Sequence, residues 1–467
     1  MNALFAEHHR LLETESFVLV TGRVIGVTGL TVVAGGLSLP VGSMCRIQRR
    51  HGRSIAAQVV GVQRGTGDSP VTQRGTGDLL VTLMPLENPL GVAGGDRVTS
   101  TTAMQHVGAG RKLLGRIING LGEVIDGAGP ITVEAHCPVY ADAPPALDRT
   151  PIDTPLATGV RAIDAMTTVG CGQRMGIFAG TGVGKSVLMG MIARHTAADV
   201  TVIALVGERG REVGEFIRKD LGEEGRKRAV LVISTSDESP VLRVRACFVA
   251  TAVAEYFRDR GKHVLLMMDS LTRMAMAQRQ IGLAAGEPPT TKGYPPSVFS
   301  LMPQLLERSG KTKDGSVTGL FTVLVEGDDI NEPISDAARG FLDGHVWLSR
   351  DLANRGHYPA VSVLESISRV MNDVVDEEHT GAAIEIRRLL AVWADIEDMV
   401  NIGAYAAGSN TEFDAAIRMK PRIDKFLQQA VDRRAEHEDT RAALIALAEE
   451  AKSLRGELSE RTEAAAV

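Results

Sequence analysis

The run Ala179-Gly180-Thr181-Gly182-Val183-Gly184-Lys185-Ser186 lies between an apolar stretch ending at Phe178 and a helix-like stretch from Val187 to Arg194. A strand, a glycine-rich turn and a helix start, in that order, aim successive backbone N–H groups at phosphate oxygens. In such a loop the lysine reaches the β- and γ-phosphates and the terminal hydroxyl ligates Mg²⁺. Gly180, Thr181, Gly182, Val183, Gly184, Lys185, Ser186 and Val187 are therefore the expected nucleotide-binding set, with Ser186 on the metal. Ala179 stands where the strict pattern has glycine, a position that needs only a small residue. Two further strand ends carry carboxylates. Val264-Leu265-Leu266-Met267-Met268 delivers Asp269, suited to holding Mg²⁺ through water beside Ser186. Val200 to Val206 runs into Gly207-Glu208-Arg209-Gly210-Arg211-Glu212, where Glu208 can polarise an attacking water. Arg209 and Glu212 follow closely enough to assist with phosphate charge and with metal-bound water.

These groups need a sheet to bring them together. Five apolar runs, Met175 to Phe178, Val200 to Val206, Ala229 to Ile233, Val264 to Met268 and Leu320 to Val325, alternate with helical or glycine-rich segments. Near-continuous apolar strands mark a parallel sheet buried on both faces, and such sheets bind ligands beyond their carboxyl ends. The fold expected is α/β, with a doubly wound core over 99–375. Before it, over 1–98, short β-rich runs at Phe17 to Val20, Val24 to Val27, Ala57 to Val62 and Leu79 to Met84 read as a small antiparallel barrel or sandwich. Inside that region Gln63 to Thr72 is followed by the near-copy Gln73 to Thr82, which reads as an expanded surface hairpin. After Asp376 the pattern turns helical, with Leu389, Trp393, Ile396 and Val400 on one stripe and breaks at Gly403 and Gly408-Ser409-Asn410. A helical domain over 376–467 follows, and Leu444, Leu447, Leu454 and Leu458 form a packing stripe near its end.

The bulk numbers narrow the class. At 467 residues the chain exceeds one core, and length alone suggests about three domains. Net charge is −6, with both signs spread along the chain, which argues against a surface built wholly to grip nucleic acid. Cys45, Cys137, Cys171 and Cys247 are scattered without zinc or disulfide spacing, as expected of a reducing, cytosolic protein. No stretch approaches ~18 apolar residues, so any membrane association is expected to be peripheral.

Several segments together resemble the rotary ATPase superfamily, and most closely its flagellar and type III secretion export ATPases. They are Thr158 to Asp164, the phosphate loop, Gly207 to Val213, Asp269-Ser270-Leu271-Thr272-Arg273, Gly286 to Ser297, Gly356-His357-Tyr358-Pro359-Ala360 and Ser366-Ile367-Ser368-Arg369. The acidic lever of ATP synthase β subunits is missing, while Glu326-Gly327-Asp328-Asp329, Asp343-Gly344-His345 and Arg369 to Asp373 are similar to the flagellar form. The resemblance implies a homohexamer of barrel, RecA-like core and helical domain, with ATP and Mg²⁺ between protomers. It implies that Arg209 and Arg273 sit near the phosphates, that Tyr358 stacks on adenine and that Arg369 acts on a neighbour's ATP. It also implies partners: a stator-like regulatory dimer, a central-stalk-like coiled coil, the export gate and chaperone–substrate complexes at the inner face of the cytoplasmic membrane, with no nucleic acid. The duplicated hairpin and the short segment before Phe17 depart from the usual pattern, which bears on the stator contacts. Rival readings are a virulence-secretion ATPase, an RNA-dependent RecA-like motor and a non-catalytic rotary subunit. The last conflicts with the joint presence of Lys185, Glu208, Asp269 and Arg369.

Overall fold

The structure is a computed structural model that describes residues 20–50, 52–64, 79–101, 105–325, 327, 329 and 331–466. The first six strands, β1 (Thr21–Thr28), β2 (Thr31–Gly35), β3 (Met44–Gln48), β4 (Ile55–Arg64), β5 (Leu79–Pro85) and β6 (Arg97–Thr101), close into an antiparallel barrel. Its interior is apolar, filled by Val32, Ile47, Ile55, Leu83 and Val98 among others. A division between 98 and 99 falls inside β6, because Thr99, Ser100 and Thr101 still pair with Arg46, Cys45 and Met44 of β3. The duplicated segment enters and leaves through paired residues, Arg64 opposite Leu79 and Gln63 opposite Leu80. Its residues 65–78 lie outside the described residues, as do the start of the Phe17 to Val20 run and Glu326 and Asp328.

A two-stranded ribbon of β7 (His106–Ala109) and β9 (Ala135–Pro138) links the barrel to the core. The core sheet also contains β8 (Ile117–Asn119), β10 (Arg174–Ala179), β11 (Val200–Val206), β12 (Ala229–Ser234), β13 (His263–Asp269), β14 (Gly310–Lys311), β15 (Ser316–Leu324), β16 (Gly344–Leu348) and β17 (Val361–Ser368). Its order is β17-β16-β10-β15-β13-β11-β12-β8, parallel from β16 to β8, with β17 antiparallel at one edge and β14 pairing β15 antiparallel. The five apolar runs are its central strands. The edge strand β17 is mixed in pattern because only Val361, Val363 and Ser366 turn inward.

Every residue of β11 is buried, and alternate positions feed two cores, as a sheet covered on both faces requires. Ile203 and Leu205 join Leu188 and Ile192 of the helix Lys185–His195, whereas Val202, Ala204 and Val206 join Val249 and Val253 of the helix Pro240–Arg258. The first core continues into the C-terminal helices Glu377–Asn401, Thr411–Leu427 and His437–Ala466 through Ile386, Leu389, Met419, Ile423 and Leu444. Asp376 caps the first of these and Asn410 the second, on either side of the break at Gly403 and Gly408. Leu444, Leu447 and Leu458 are buried and Leu454 packs beside them, so the leucine stripe is a packing stripe.

The second core holds one buried ion pair. Arg308 is fully enclosed, makes two bonds to the Glu255 carboxylate and donates to the Val139 carbonyl. Glu255→Ala would leave that guanidinium buried and uncompensated, a loss of about 3–5 kcal/mol. Chemical denaturation should show the unfolding free energy of the core lowered by that amount, with its midpoint at lower denaturant; an unchanged midpoint would show that the pair is not structural.

Candidate active site

Strand β10 ends at Ala179 and the chain turns through Gly180 to Gly184 into the helix Lys185–His195. Gly182 and Gly184 have φ of 82° and 96°, a left-handed backbone that side chains rarely adopt, and Gly184 is the residue from which the helix starts. At the other end of that helix Arg228 donates to the carbonyls of Ala193, Arg194 and Thr196, satisfying groups a helix leaves unpaired. The loop is thus braced from behind. Arg350 braces it from the side, donating to the Thr181 carbonyl at 3.0 Å.

Parallel register brings the other two strand ends level with the loop. Asp269 lies opposite Leu205 of β11, and Ala179 opposite Leu324 of β15. Lys185 Nζ is ion-paired with the Asp269 carboxylate and sits 3.7 Å from Glu208 Oε1. Asp269 also accepts from Thr322 Oγ1 at 2.7 Å, and Glu208 Oε2 is 3.0 Å from Arg273 Nη2. Arg273 donates to the Gly207 carbonyl as well, and a β-carbon at Gly207 would come within 3.1 Å of Arg273 Cβ, so the glycine lets the arginine approach. Lys185, Ser186, Glu208, Glu212, Asp269 and Arg273 border one cavity of about 460 Å³ over the loop.

The electrostatics follow from burial. Desolvation, helped by the Asp269 carboxylate, pushes the Glu208 carboxyl up to about 7 against the pull of Lys185 and Arg273. Glu212, hydrogen-bonded to Glu208, is held below the usual carboxylate range. A buried carboxyl poised near neutrality beside an anion-binding loop can exchange a proton with water at that loop. The metal expected at Ser186 also fits the residues. Donors are oxygen only, the Ser186 hydroxyl is exposed at the helix start, and the Asp269 carboxylate already holds a cationic group, the Lys185 ammonium. Among the described residues no cluster of three or more His, Cys, Asp or Glu forms a closed metal cage.

Three expected site residues stand apart. The Arg209 side chain borders the cavity but is 76% exposed and pairs with Glu212 at 3.4 Å. Tyr358, 46% exposed, lies beside Gly184, over a second and mainly apolar cavity of about 270 Å³ that includes Val183, Val187, Leu348, Pro359, Gln429 and Val431. Arg369 is exposed at the far end of the sheet. Its N–H donates to the Asp343 carbonyl, and the Asp343 carboxylate is bonded to Arg174, at the opposite end of β10 from the loop. From Arg174 to Ala179 is roughly 17 Å at ~3.3 Å per residue, so Arg369 does not reach the loop of its own chain. The sequence did not single out Thr322, Arg350, Gln429 or Val431. Thr322 carries a signal, a polar residue inside the apolar run Leu320 to Val325, but the rest lie in segments with no motif.

A parallel sheet with a phosphate loop at its switch point, carboxylates on neighbouring strand ends, a leading barrel and trailing helices defines a RecA-like ATPase core of the rotary type. The model of the ATP synthase alpha/beta family nucleotide-binding domain matches residues 159–368, and that of the T3SS EscN ATPase C-terminal domain matches residues 375–446. The flagellum-specific ATP synthase of Treponema pallidum (strain Nichols) is 49% identical over 445 residues, covering 95% of this chain and 96% of that protein. The type 3 secretion system ATPase of Xanthomonas euvesicatoria is 46% identical over 445 residues, 94% and 98% of the two chains. The solved structure of the assembled ATPase EscN from the type III secretion system of enteropathogenic E. coli superposes with a TM-score of 0.83 at 41% identity, covering 91% of this chain and all of that one. The chain belongs to the family of flagellar and type III secretion ATPases, and is an ATP-hydrolysing enzyme of protein export.

If Glu208 must be ionised for turnover, kcat/KM should rise with pH as its carboxyl, raised to about 7, loses its proton, and level off above that. A kcat/KM profile that is flat between pH 6 and 8 would show that another group governs the step.

Proposed function

We propose that this chain hydrolyses ATP with Mg²⁺ to drive type III export of flagellar subunits, releasing them from chaperones and unfolding them at the export gate. The observation that carries the hydrolytic reading is the meeting of Lys185, Glu208 and Asp269 on three strand ends over the phosphate loop. In this reading the backbone N–H groups from Gly180 to Val187 cradle the phosphates, and Lys185 leaves Asp269 to reach the β- and γ-phosphate oxygens. Ser186, with Asp269 and Glu212 acting through water, would hold Mg²⁺, which neutralises charge on those oxygens. Glu208 takes the proton of the attacking water, Arg273 keeps Glu208 aimed at the loop, and Tyr358 stacks on the adenine.

Arg369 supplies charge to the ATP of a neighbouring protomer. Support for a trans role comes from its place at the end of the sheet opposite its own loop. The working form is then a homohexamer with ATP between protomers, and Arg209, largely exposed, faces the same seam. EscN has been solved both assembled and in complex with its central stalk EscO, and the latter matches this chain with a TM-score of 0.82 at 40% identity. By analogy a central-stalk-like coiled coil engages this chain, with a stator-like regulatory dimer at its N-terminal region. The setting is cytoplasmic, peripheral at the inner face of the membrane; among the described residues no helix is long and apolar enough to cross it.

Lys185→Ala and Glu208→Gln should each lower ATP hydrolysis by about 10³-fold or more while leaving the circular dichroism spectrum unchanged. Normal turnover by Glu208→Gln would remove Glu208 from the mechanism. Arg369→Ala should be as inactive alone, yet regain activity when mixed with Lys185→Ala chains, since a hybrid seam pairs an intact loop with an intact arginine. Failure of mixing, with hybrid assemblies demonstrated, would place Arg369 outside catalysis. Affinity capture of the tagged chain from its own cells, in ATP, reads the client class: rod and hook proteins support flagellar export, and injectisome proteins would overturn it.

A further inference from the structure

The cavity beside Tyr358 is walled on one side by a connector, residues 428–436, that joins the C-terminal helices Thr411–Leu427 and His437–Ala466. A short connector on a protein surface is ordinarily free to move, because its backbone groups can bond water. This one is fastened to the nucleotide core at several points. Gln429 N–H donates to the Tyr358 carbonyl at 3.0 Å. The Gln429 side chain accepts from Arg161 N–H at 2.8 Å and donates to the carbonyls of Gly159 at 2.8 Å and Arg433 at 2.6 Å. Ala435 N–H donates to the same Gly159 carbonyl, and Arg194, near the end of the phosphate-loop helix, donates to the Val431 carbonyl at 2.8 Å.

Gln429 is 8% exposed, and its amide oxygen and nitrogen are both engaged by backbone groups. It is a polar side chain lining a mainly apolar cavity whose hydrogen bonds go outward, to the frame of the cavity. Gly159, the hub of the frame, has φ of 75° and lies against His195, where a β-carbon would come within 2.4 Å of His195 Cβ. The loop that receives Gln429 is therefore itself fixed against the phosphate-loop helix.

We infer that Gln429 is a positioning residue for the nucleotide base: it ties the 428–436 connector to Gly159, Arg161 and Tyr358, and so fixes the distance between the Tyr358 ring and the opposing wall at Val431. The inference rests on the reading that the Tyr358 cavity takes the base.

The test compares ADP with inorganic pyrophosphate, which shares the phosphate loop but has no base, on the full-length chain by equilibrium binding with Mg²⁺. Gln429→Met keeps the length and removes the side-chain hydrogen bonds to Gly159, Arg161 and Arg433, leaving the backbone bond to Tyr358; Gln429→Glu keeps the acceptor and removes both side-chain donors. Each should weaken ADP binding by about tenfold, the scale of one or two hydrogen bonds lost, and leave pyrophosphate binding within about twofold. In turnover they should raise KM for ATP with little change in kcat. Tyr358→Ala serves as the control for the pocket itself. If Tyr358→Ala changes the ADP to pyrophosphate ratio but neither Gln429 variant does, the inference is overturned and the pocket reading stands. If Tyr358→Ala leaves the ratio unchanged, the base lies elsewhere and both fall. Equal weakening of ADP and pyrophosphate by both Gln429 variants would assign the residue to general folding and overturn the inference as well.

Discussion

The chemistry of this chain depends on one constraint: a parallel sheet, sealed on both faces, that ends its central strands at a common edge. Strands β10, β11 and β13 cannot satisfy their backbone groups except in register with one another, and that register sets the phosphate loop, Glu208 and Asp269 side by side. Three separated stretches of sequence thereby become one site. The alternation of buried residues into two cores fixes the register further, because a slip by one residue would exchange the faces of each strand.

Within that frame the site is electrostatically tense. Lys185 lies between two carboxylates, and Glu208 lies between the repulsion of Asp269 and the attraction of Lys185 and Arg273. Under the proposed function, phosphate oxygens at the loop would compete with Asp269 for Lys185, and a divalent cation would compete with Lys185 for Asp269, so each arrival would remove the partner that the other has to displace.

Antiparallel β17 carries Arg369 back to the amino end of the parallel strands, away from its own loop. Under the proposed function, a residue so placed would act in hydrolysis only through a second copy. The C-terminal helices share the core beneath the phosphate-loop helix, and their connector borders the Tyr358 cavity.

The phosphate loop, the carboxylates on β11 and β13 and the order of barrel, sheet and helices were legible in the sequence, for a local reason. Each is written by neighbours in the chain: glycines that permit left-handed φ, apolar runs that end in a carboxylate, and a switch of apolar period from two to about 3.6. Arg369 and Tyr358 were chosen through family resemblance alone, since no spacing separates them from other arginines and tyrosines. What tertiary structure alone decided were relations between distant segments. These include the bond from Thr322 to Asp269, the bracing of Thr181 by Arg350, the span of β6 across the expected domain division and the anchoring of Gln429 to Gly159, Arg161 and Tyr358. A hydrogen bond between residues dozens to hundreds of positions apart leaves no period and no motif. It exists only when packing has brought the two backbones together, and that is a property of the folded chain as a whole.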